Sequence, residues 1–482
     1  MTVEDVLLEF TALSAVPRCS GHEKAAAEFI ARQAQAAGCS YRTDQAGNIA
    51  VFVPPTGGME EVPGVILQGH LDMVCVRDSG SSHDFKKDPI VPQRQGDWVT
   101  AAGTTLGADN GVAVALALAV MKDGSLSHGP LELLFTVEEE TGLIGASNLG
   151  DGMIEGAYLI NLDFEEDYQI CVGCAGGVIL KADGVLPVET VTAAGLTAWT
   201  IAADGLKGGH SGMDIGGSPE NLYKAFARLL RELETLDARI TGITGDGKSN
   251  AIPTNCSVNF LLPEGREEDL RQIFHRFEET FYGTYAHPEV NPHVALKNSV
   301  TEKDQAITRE GTADLVRLLE DLPSGVMERH EDMGGLVSTS ANPGVLQVGA
   351  DGSVHLEINH RSDRAERLQD VEVVILGCLK AAGLSVTDRV AFPPWPPAPA
   401  SALVSLCQDC RRGIYAEPAE VVTIHAGLEC GILSAKAGGL DSISIGPNQF
   451  DVHTTRERIQ VSSVEKFIRW LEAILARQGE LR

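Results

Sequence analysis

The stretch VILQGHLDMVC, residues 65–75, decides the fold. Its β-rich run Val65–Gly69 ends in His70 and Asp72, side chains that ligate metals or carry protons, so a strand end and a chemical signal coincide. Outward from it the same texture recurs. NIAVFV (48–53), LELLFTV (131–137) and AYLINL (157–162) read as strands, and a helical stretch from Asn110 to Met121 separates VILQG from LELLFTV. Strands alternating with helices predict an α/β fold with a mainly parallel sheet covered by helices on both faces. Upstream, Val6, Leu7, Phe10 and Leu13, then Ala27, Phe29 and Ile30, fall at helical spacing. Two helices joined across Pro17–Gly21 follow from that pattern.

The texture changes after Lys181. VLPVETVTAAGLTAWTIAADG gives alternating strand signals, a helix follows from Glu220 to Leu236, and further strands and helices give the segment an α+β character. FPPWPPAPA (392–400) suits neither a helix interior nor a central strand, since each proline removes a donor and fixes its own φ. Beyond it, EVVTIH (420–425), SISIG (442–446) and a helix from Ser462 to Ala476 resume the α/β pattern. The expected architecture is a discontinuous catalytic domain, residues 1–186 and 396–482, with a lid domain at 187–395 inserted between.

Composition narrows the function. The chain has 482 residues, 43% of them hydrophobic, enough for two or three packed domains. Its 38 bases against 67 acids leave a net charge of −29, which repels phosphate backbones and anionic membranes. Nucleic acid and membrane are therefore not expected partners. No segment approaches the roughly 18 uninterrupted apolar residues of a membrane span. The N-terminal MTVEDVLLEF carries acids where a secretory signal needs a basic start, and the ten cysteines are scattered, so a reduced, cytoplasmic protein is expected. Cys171 with Cys174, and Cys407 with Cys410, have zinc-site spacing, yet read better as small buried thiols.

Acids and histidines gather at the strand ends, where open α/β sheets bind ligands. His70 and Asp72 follow the first strand, Glu138, Glu139 and Glu140 follow LELLFTV, Asp163 closes AYLINL, and His453 sits in DVH. Asp109, in GTTLGADNG (103–111), taken alone reads as a helix N-cap. Together, two histidines and three carboxylates supply the N and O ligands that zinc or a similar divalent ion takes. Two divalent ions, the carboxylates of Asp109, Glu140 and Asp163 and one hydroxide sum to zero charge beside neutral His70 and His453, as a buried site requires. The glycine-rich GLKGGHSGMDIGG (205–217) lacks the GK[ST] ending of a phosphate loop.

Those signals, with PRCSGHE (17–23), GCAGG (173–177), NAIP (250–253), HAGLECG (425–431) and IGPNQFDVH, resemble the co-catalytic zinc aminopeptidase-like superfamily, and within it the aminoacyl-histidine dipeptidases, over essentially the whole chain. The resemblance implies a phosphorylase/hydrolase-like sheet and two divalent metals, zinc first, with cobalt or manganese as alternatives. It implies that Asp109 bridges them, that His70 and Asp163 complete one and Glu140 and His453 the other, and that Glu139 is the general base. Asp72 would orient His70. His210 would stabilise the oxyanion. Asn250 and Arg361 would take a terminal carboxylate, His425 and Glu429 would line the substrate side, and the assembly would be a homodimer. The implied activity is hydrolysis of unblocked dipeptides, broad or with Xaa-His (including β-alanyl-His) preference. The alternatives are an N-acyl-amino-acid amidohydrolase on the same scaffold and a non-catalytic, metal-dependent peptide-binding protein. After His453 the family pattern continues Ser-Pro, whereas this chain has Thr454 and Thr455.

Overall fold

All six residues of the strand Val65–His70 are buried, which places it inside a sheet covered on both faces. It runs parallel to Leu131–Thr136 on one side and to Tyr158–Asn161 on the other. The computed structural model describes residues 1–481 except 193, 246, 300–303 and 332–334. The eight-stranded sheet runs in the order Ser40–Thr43, Ile49–Val53, Leu131–Thr136, Val65–His70, Tyr158–Asn161, Asp441–Ser444, Gln169–Cys174, Glu420–Ile424. Its centre is parallel, and the first two strands add antiparallel.

Side-chain alternation divides the sheet between two layers. Leu67, Leu133 and Ile160 join one apolar cluster with the helices Val3–Ser14, Ala108–Lys122 and Val461–Ala476. The helix Ala108–Lys122 is buried on all sides from Val112 to Met121, as its sequence VAVALALAVM, with no polar face, requires. Gln68, Thr136 and Asn161 alternate to the opposite face. There Gln68 Nε2 and Thr136 Oγ1 donate to Glu429 Oε2, at 2.6 and 2.7 Å, from the helix Glu429–Lys436, and Asn161 Nδ2 donates to Gln68 Oε1 at 2.6 Å.

Two units partition the chain. The first is Met1–Cys174, Trp395–Ile424 and Leu428–Arg482, and the second is Ala175–Pro394 with His425–Gly427. The second unit has its own nine-stranded sheet, antiparallel throughout, and its own core, in which the helix Leu222–Glu234 buries Leu222, Phe226, Leu229, Leu230 and Leu233 at helical spacing. The first break falls after Cys174, not at 186, because the strand Gly176–Val185 pairs with Ser353–Ser362 and Ser385–Phe392 in that second sheet. GCAGG allows it: a Cβ on Gly176 would lie 2.4 Å from the Pro394 nitrogen. At the other end the break falls at Pro394/Trp395, inside the proline run, and Cys174 and Trp395 exchange both backbone hydrogen bonds at 3.0 Å. His425–Gly427 belongs to the second unit, a departure from the expected block 396–482.

The cysteines need one correction. Cys19 and Cys75 form a disulfide, so the reduced state expected from scattered cysteines does not hold for this pair. The two are brought together because Cys19 bridges to Met73 alongside the segment that follows Val65–His70. Cys171, Cys174, Cys407 and Cys410 are free and buried. Among the described residues no helix is long and apolar enough to cross a membrane.

Candidate metal centre

The candidate donors are set by strand ends and one irregular helix start. His70 closes its strand, and its N–H donates to Asn110 Oδ1 at 3.2 Å while Asn110 Nδ2 donates to the Leu162 carbonyl at 3.2 Å. One asparagine thus fixes the backbone beside His70, Asp109 and Asp163. Gly107 takes the N-cap position with φ 70°, and Asp109 and Asn110 have non-helical dihedrals. The cap position thus belongs to Gly107, and the Asp109 carboxylate is directed elsewhere.

It faces two imidazoles. Asp109 Oδ1 lies 3.0 Å from His70 Nε2, and Oδ2 lies 2.9 Å from His453 Nε2. Glu140 stands 3.0 Å from the same His453 nitrogen, and Asp163 Oδ1 stands 3.6 Å from His70 Nε2. Two donor sets, His70 with Asp163 and His453 with Glu140, therefore share one carboxylate. Donors around a tetrahedral zinc at bond lengths of about 2.0–2.1 Å stand roughly 3.3 Å apart, so these separations fit divalent ions. His453 has φ 62° and Glu138 φ 51°, left-handed conformations that non-glycine residues seldom adopt outside functional turns.

Asp72 organises the group from behind. Its Oδ1 lies 3.3 Å from His70 Nδ1, which turns Nε2 toward Asp109, and it accepts N–H bonds from Glu139 at 3.0 Å and Glu140 at 3.2 Å. Ser20 Oγ donates to Asp72 Oδ2 at 2.8 Å. Glu23 Oε1 accepts the Glu138 N–H at 3.0 Å, so the EEE turn is held at every residue.

The electrostatics are those of acids crowded in a dry place. Burial raises Glu140 to about 7 and Asp163 to about 6, each assisted by Asp109. Burial also carries Glu139 well above the usual carboxylate range, with Glu140, Asp163 and Glu429 adding to it against His70. Burial would lower His453, yet Asp109 and Glu140 override it and push the imidazole up to about 11. Such a cluster favours cations, and a divalent pair would displace those protons.

Two further buried charged residues, Glu457 and Arg18, hold the backbone around Asp109. Glu457, 3% exposed, accepts four consecutive backbone N–H groups, from Leu106 (2.7 Å), Gly107 (2.9 Å), Ala108 (2.6 Å) and Asp109 (3.2 Å). Charge-assisted bonds of roughly 1.5–3 kcal/mol each offset the several kcal/mol that burying a carboxylate costs. Arg18, equally buried, donates to the carbonyls of Leu71 (2.9 Å), Asp72 (3.0 Å) and Gly107. PRCSGHE contained Arg18, Ser20 and Glu23 within a quoted motif; nothing local marked Glu457.

The remaining candidates divide between the units. Glu429, expected to line the substrate side, is fully buried under Gln68 and Thr136 and is raised to about 7 by burial, so it braces the strand of His70. The second unit gathers the others. His210 bridges to Ala251, and the Asn250 carbonyl accepts the Ser211 N–H at 2.8 Å, which sets Asn250 beside His210. Arg361 Nη2 lies 3.5 Å from His210 Nε2. Arg361 also pairs across the sheet with Ser340, whose hydroxyl is 2.8 Å from His425 Nε2. A Cβ on Gly212 would meet the His425 carbonyl at 2.2 Å, so only glycine permits this approach. Burial lowers His425 to about 4, with Arg361 acting in the same direction, and keeps its ring neutral.

Comparison with known proteins converges on one group. Residues 66–477 match the model of Peptidase family M20/M25/M40. The chain is 35% identical over 468 residues to the cytosol non-specific dipeptidase of Escherichia coli K12, covering 97% of this chain and 96% of that one. The aminoacylhistidine dipeptidase of Vibrio alginolyticus superposes with a TM-score of 0.84 at 32% identity, over 98% and 96% of the two chains. A tripeptidase from Staphylococcus aureus shares the fold, with a TM-score of 0.64 at 16% identity over 99% of each chain.

Proposed function

The chain belongs to Peptidase family M20/M25/M40 and is a metal-dependent peptide hydrolase, and from that premise we propose that it cleaves unblocked dipeptides at a dinuclear centre held by His70, Asp109, Glu140, Asp163 and His453. One observation carries the reading: the two carboxylate oxygens of Asp109 face two different imidazoles, each backed by a second carboxylate. The N and O donor set, without a thiolate, suits two zinc ions, with cobalt or manganese as substitutes. Bound divalent ions would supply Lewis acidity to the peptide carbonyl and acidify the attacking water.

The chain's own residues do the rest. Glu139 takes the proton of the attacking water and hands it to the leaving amine, a transfer suited to a carboxyl whose pKa lies above the usual range. Asp72 fixes the imidazole of His70 and the turn that bears Glu139 and Glu140. His210 stabilises the oxyanion of the tetrahedral intermediate, and Arg361 with Asn250 binds the dipeptide's terminal carboxylate, for which a planar guanidinium is well shaped. His425, held neutral, donates or accepts one hydrogen bond on the substrate side without repelling a free amine. The relatives' names support a broad dipeptide range that includes Xaa-His, a cytoplasmic setting, and small peptides as partners. The resemblance also supports a homodimer.

The decisive experiment is a panel of dipeptides and their N-acetyl forms, assayed with zinc, cobalt and manganese beside subunit mass in solution. Cleavage of free dipeptides alone is expected. Preference for the acetylated forms would make the protein an amidohydrolase, and binding without cleavage would make it a binding protein.

A further inference from the structure

We propose that Glu457 is the positioning residue of the metal centre: by gripping the four amides of Leu106–Asp109 it fixes the shared ligand Asp109 before any metal arrives. The proposal rests on the reading of Asp109 as a shared metal ligand.

Three observations carry it. The two carboxylate oxygens divide the task, Oε2 taking Leu106 and Gly107 and Oε1 taking Ala108 and Asp109, so both are saturated by backbone and neither is available to an ion. Gly107 is held from both sides, since its N–H goes to Glu457 and its carbonyl to Arg18, which also holds the carbonyls of Leu71 and Asp72. Finally, Glu457 closes a turn onto Thr454, its N–H donating to that carbonyl at 3.1 Å, one residue beyond His453. The same short segment thus presents one ligand and grips the backbone of another. Partners that orient ligands typically change metal affinity or activity by 10–100-fold when removed.

The test compares wild type with Glu457→Gln and Glu457→Asp. Gln turns an N–H₂ group toward two of the four donors, and Asp falls one methylene short. Competition with a chromogenic chelator is expected to show zinc held about 10–100-fold more weakly in both variants. Melting of the metal-free variants checks that they fold. A folded variant that binds zinc as tightly as wild type overturns the proposal and leaves Glu457 a structural cap. Hydrogen exchange in metal-free wild type tests the same point without substitution. The amides of 106–109 are expected to be protected already, and protection that arises only on adding zinc overturns the proposal. Asp109→Asn, measured alongside, separates the two readings. If that variant keeps both zinc ions, the metal centre itself falls, and this proposal with it.

Discussion

The two units hold their titratable side chains in different ways. In the first, ligands are tied to backbone: Asp72 accepts the amides of Glu139 and Glu140, Glu457 accepts those of Leu106–Asp109, and Asn110 joins His70 to Leu162. In the second, more of the contacts run between side chains: Arg361 reaches His210, whose Nδ1 also accepts the Met213 N–H at 3.1 Å, Ser340 reaches His425, and His330 reaches Asp363. Backbone ties resist displacement, which suits a centre whose donors must stay within tenths of an ångström. Side-chain ties can rearrange at the cost of a rotamer, which suits contacts with varied peptides. On the roles proposed above, the first unit would hold the metals and the general base, and the second would supply the substrate contacts together with the oxyanion donor His210.

Substitutions can break that division. The largest effect is expected from Glu139→Gln, which should lower kcat by about 10²–10⁴-fold while metal analysis finds wild-type metal content. Lost metal would make Glu139 a ligand and redraw the first unit. Next, Asp72→Asn should weaken zinc by about 10–100-fold in chelator competition, since it releases His70 and the EEE turn together. Arg361→Lys should raise KM roughly tenfold and barely move kcat, because an ammonium cannot reproduce the planar fork. A kcat loss larger than the KM change would place Arg361 in the chemistry itself.

The last effect concerns stability and its dependence on pH, not turnover. His425 titrates near 4 in the folded protein and near 6.5 when unfolded. Between those values the unfolded chain binds the extra proton, so stability falls as pH drops from about 6.5 to about 4 and levels off below. His425→Gln should remove that share of the acid loss, on the order of 2 kcal/mol between pH 7 and 4.5 in urea titrations. His360, lowered to about 4 by burial, keeps a parallel share. An unchanged acid limb would show that the His425 ring is not held neutral.

How far the sequence reached depends on the range of each interaction. The strand ends were legible because Val65–His70, Leu131–Thr136 and Tyr158–Asn161 are apolar runs closing on His70, the EEE turn and Asp163. Asp109 reads as a cap because acids before helices usually are, and only the direction of its carboxylate, toward His70 and His453, removes that reading. Glu457 lay hidden because its partners are backbone amides some 350 positions away, which leave no residue-type signature. Glu429 was recognised by motif, but its burial depends on the layer to which Gln68 and Thr136 alternate. The first domain break was misplaced because it falls between two strands, at glycines, without any shift in composition.

The paired amides of Cys174 and Trp395 mark the place where the chain leaves the first unit for the long stretch 175–394 and returns from it. During synthesis, the long middle stretch can therefore reach its native form while the first sheet still lacks the strands Glu420–Ile424 and Asp441–Ser444. Of the proposed ligands His453 is the last to emerge, and with it comes Glu457. Until those residues leave the ribosome the nascent chain has only part of the proposed donor set. On that donor set, metal capture would wait for the chain to return to the first sheet.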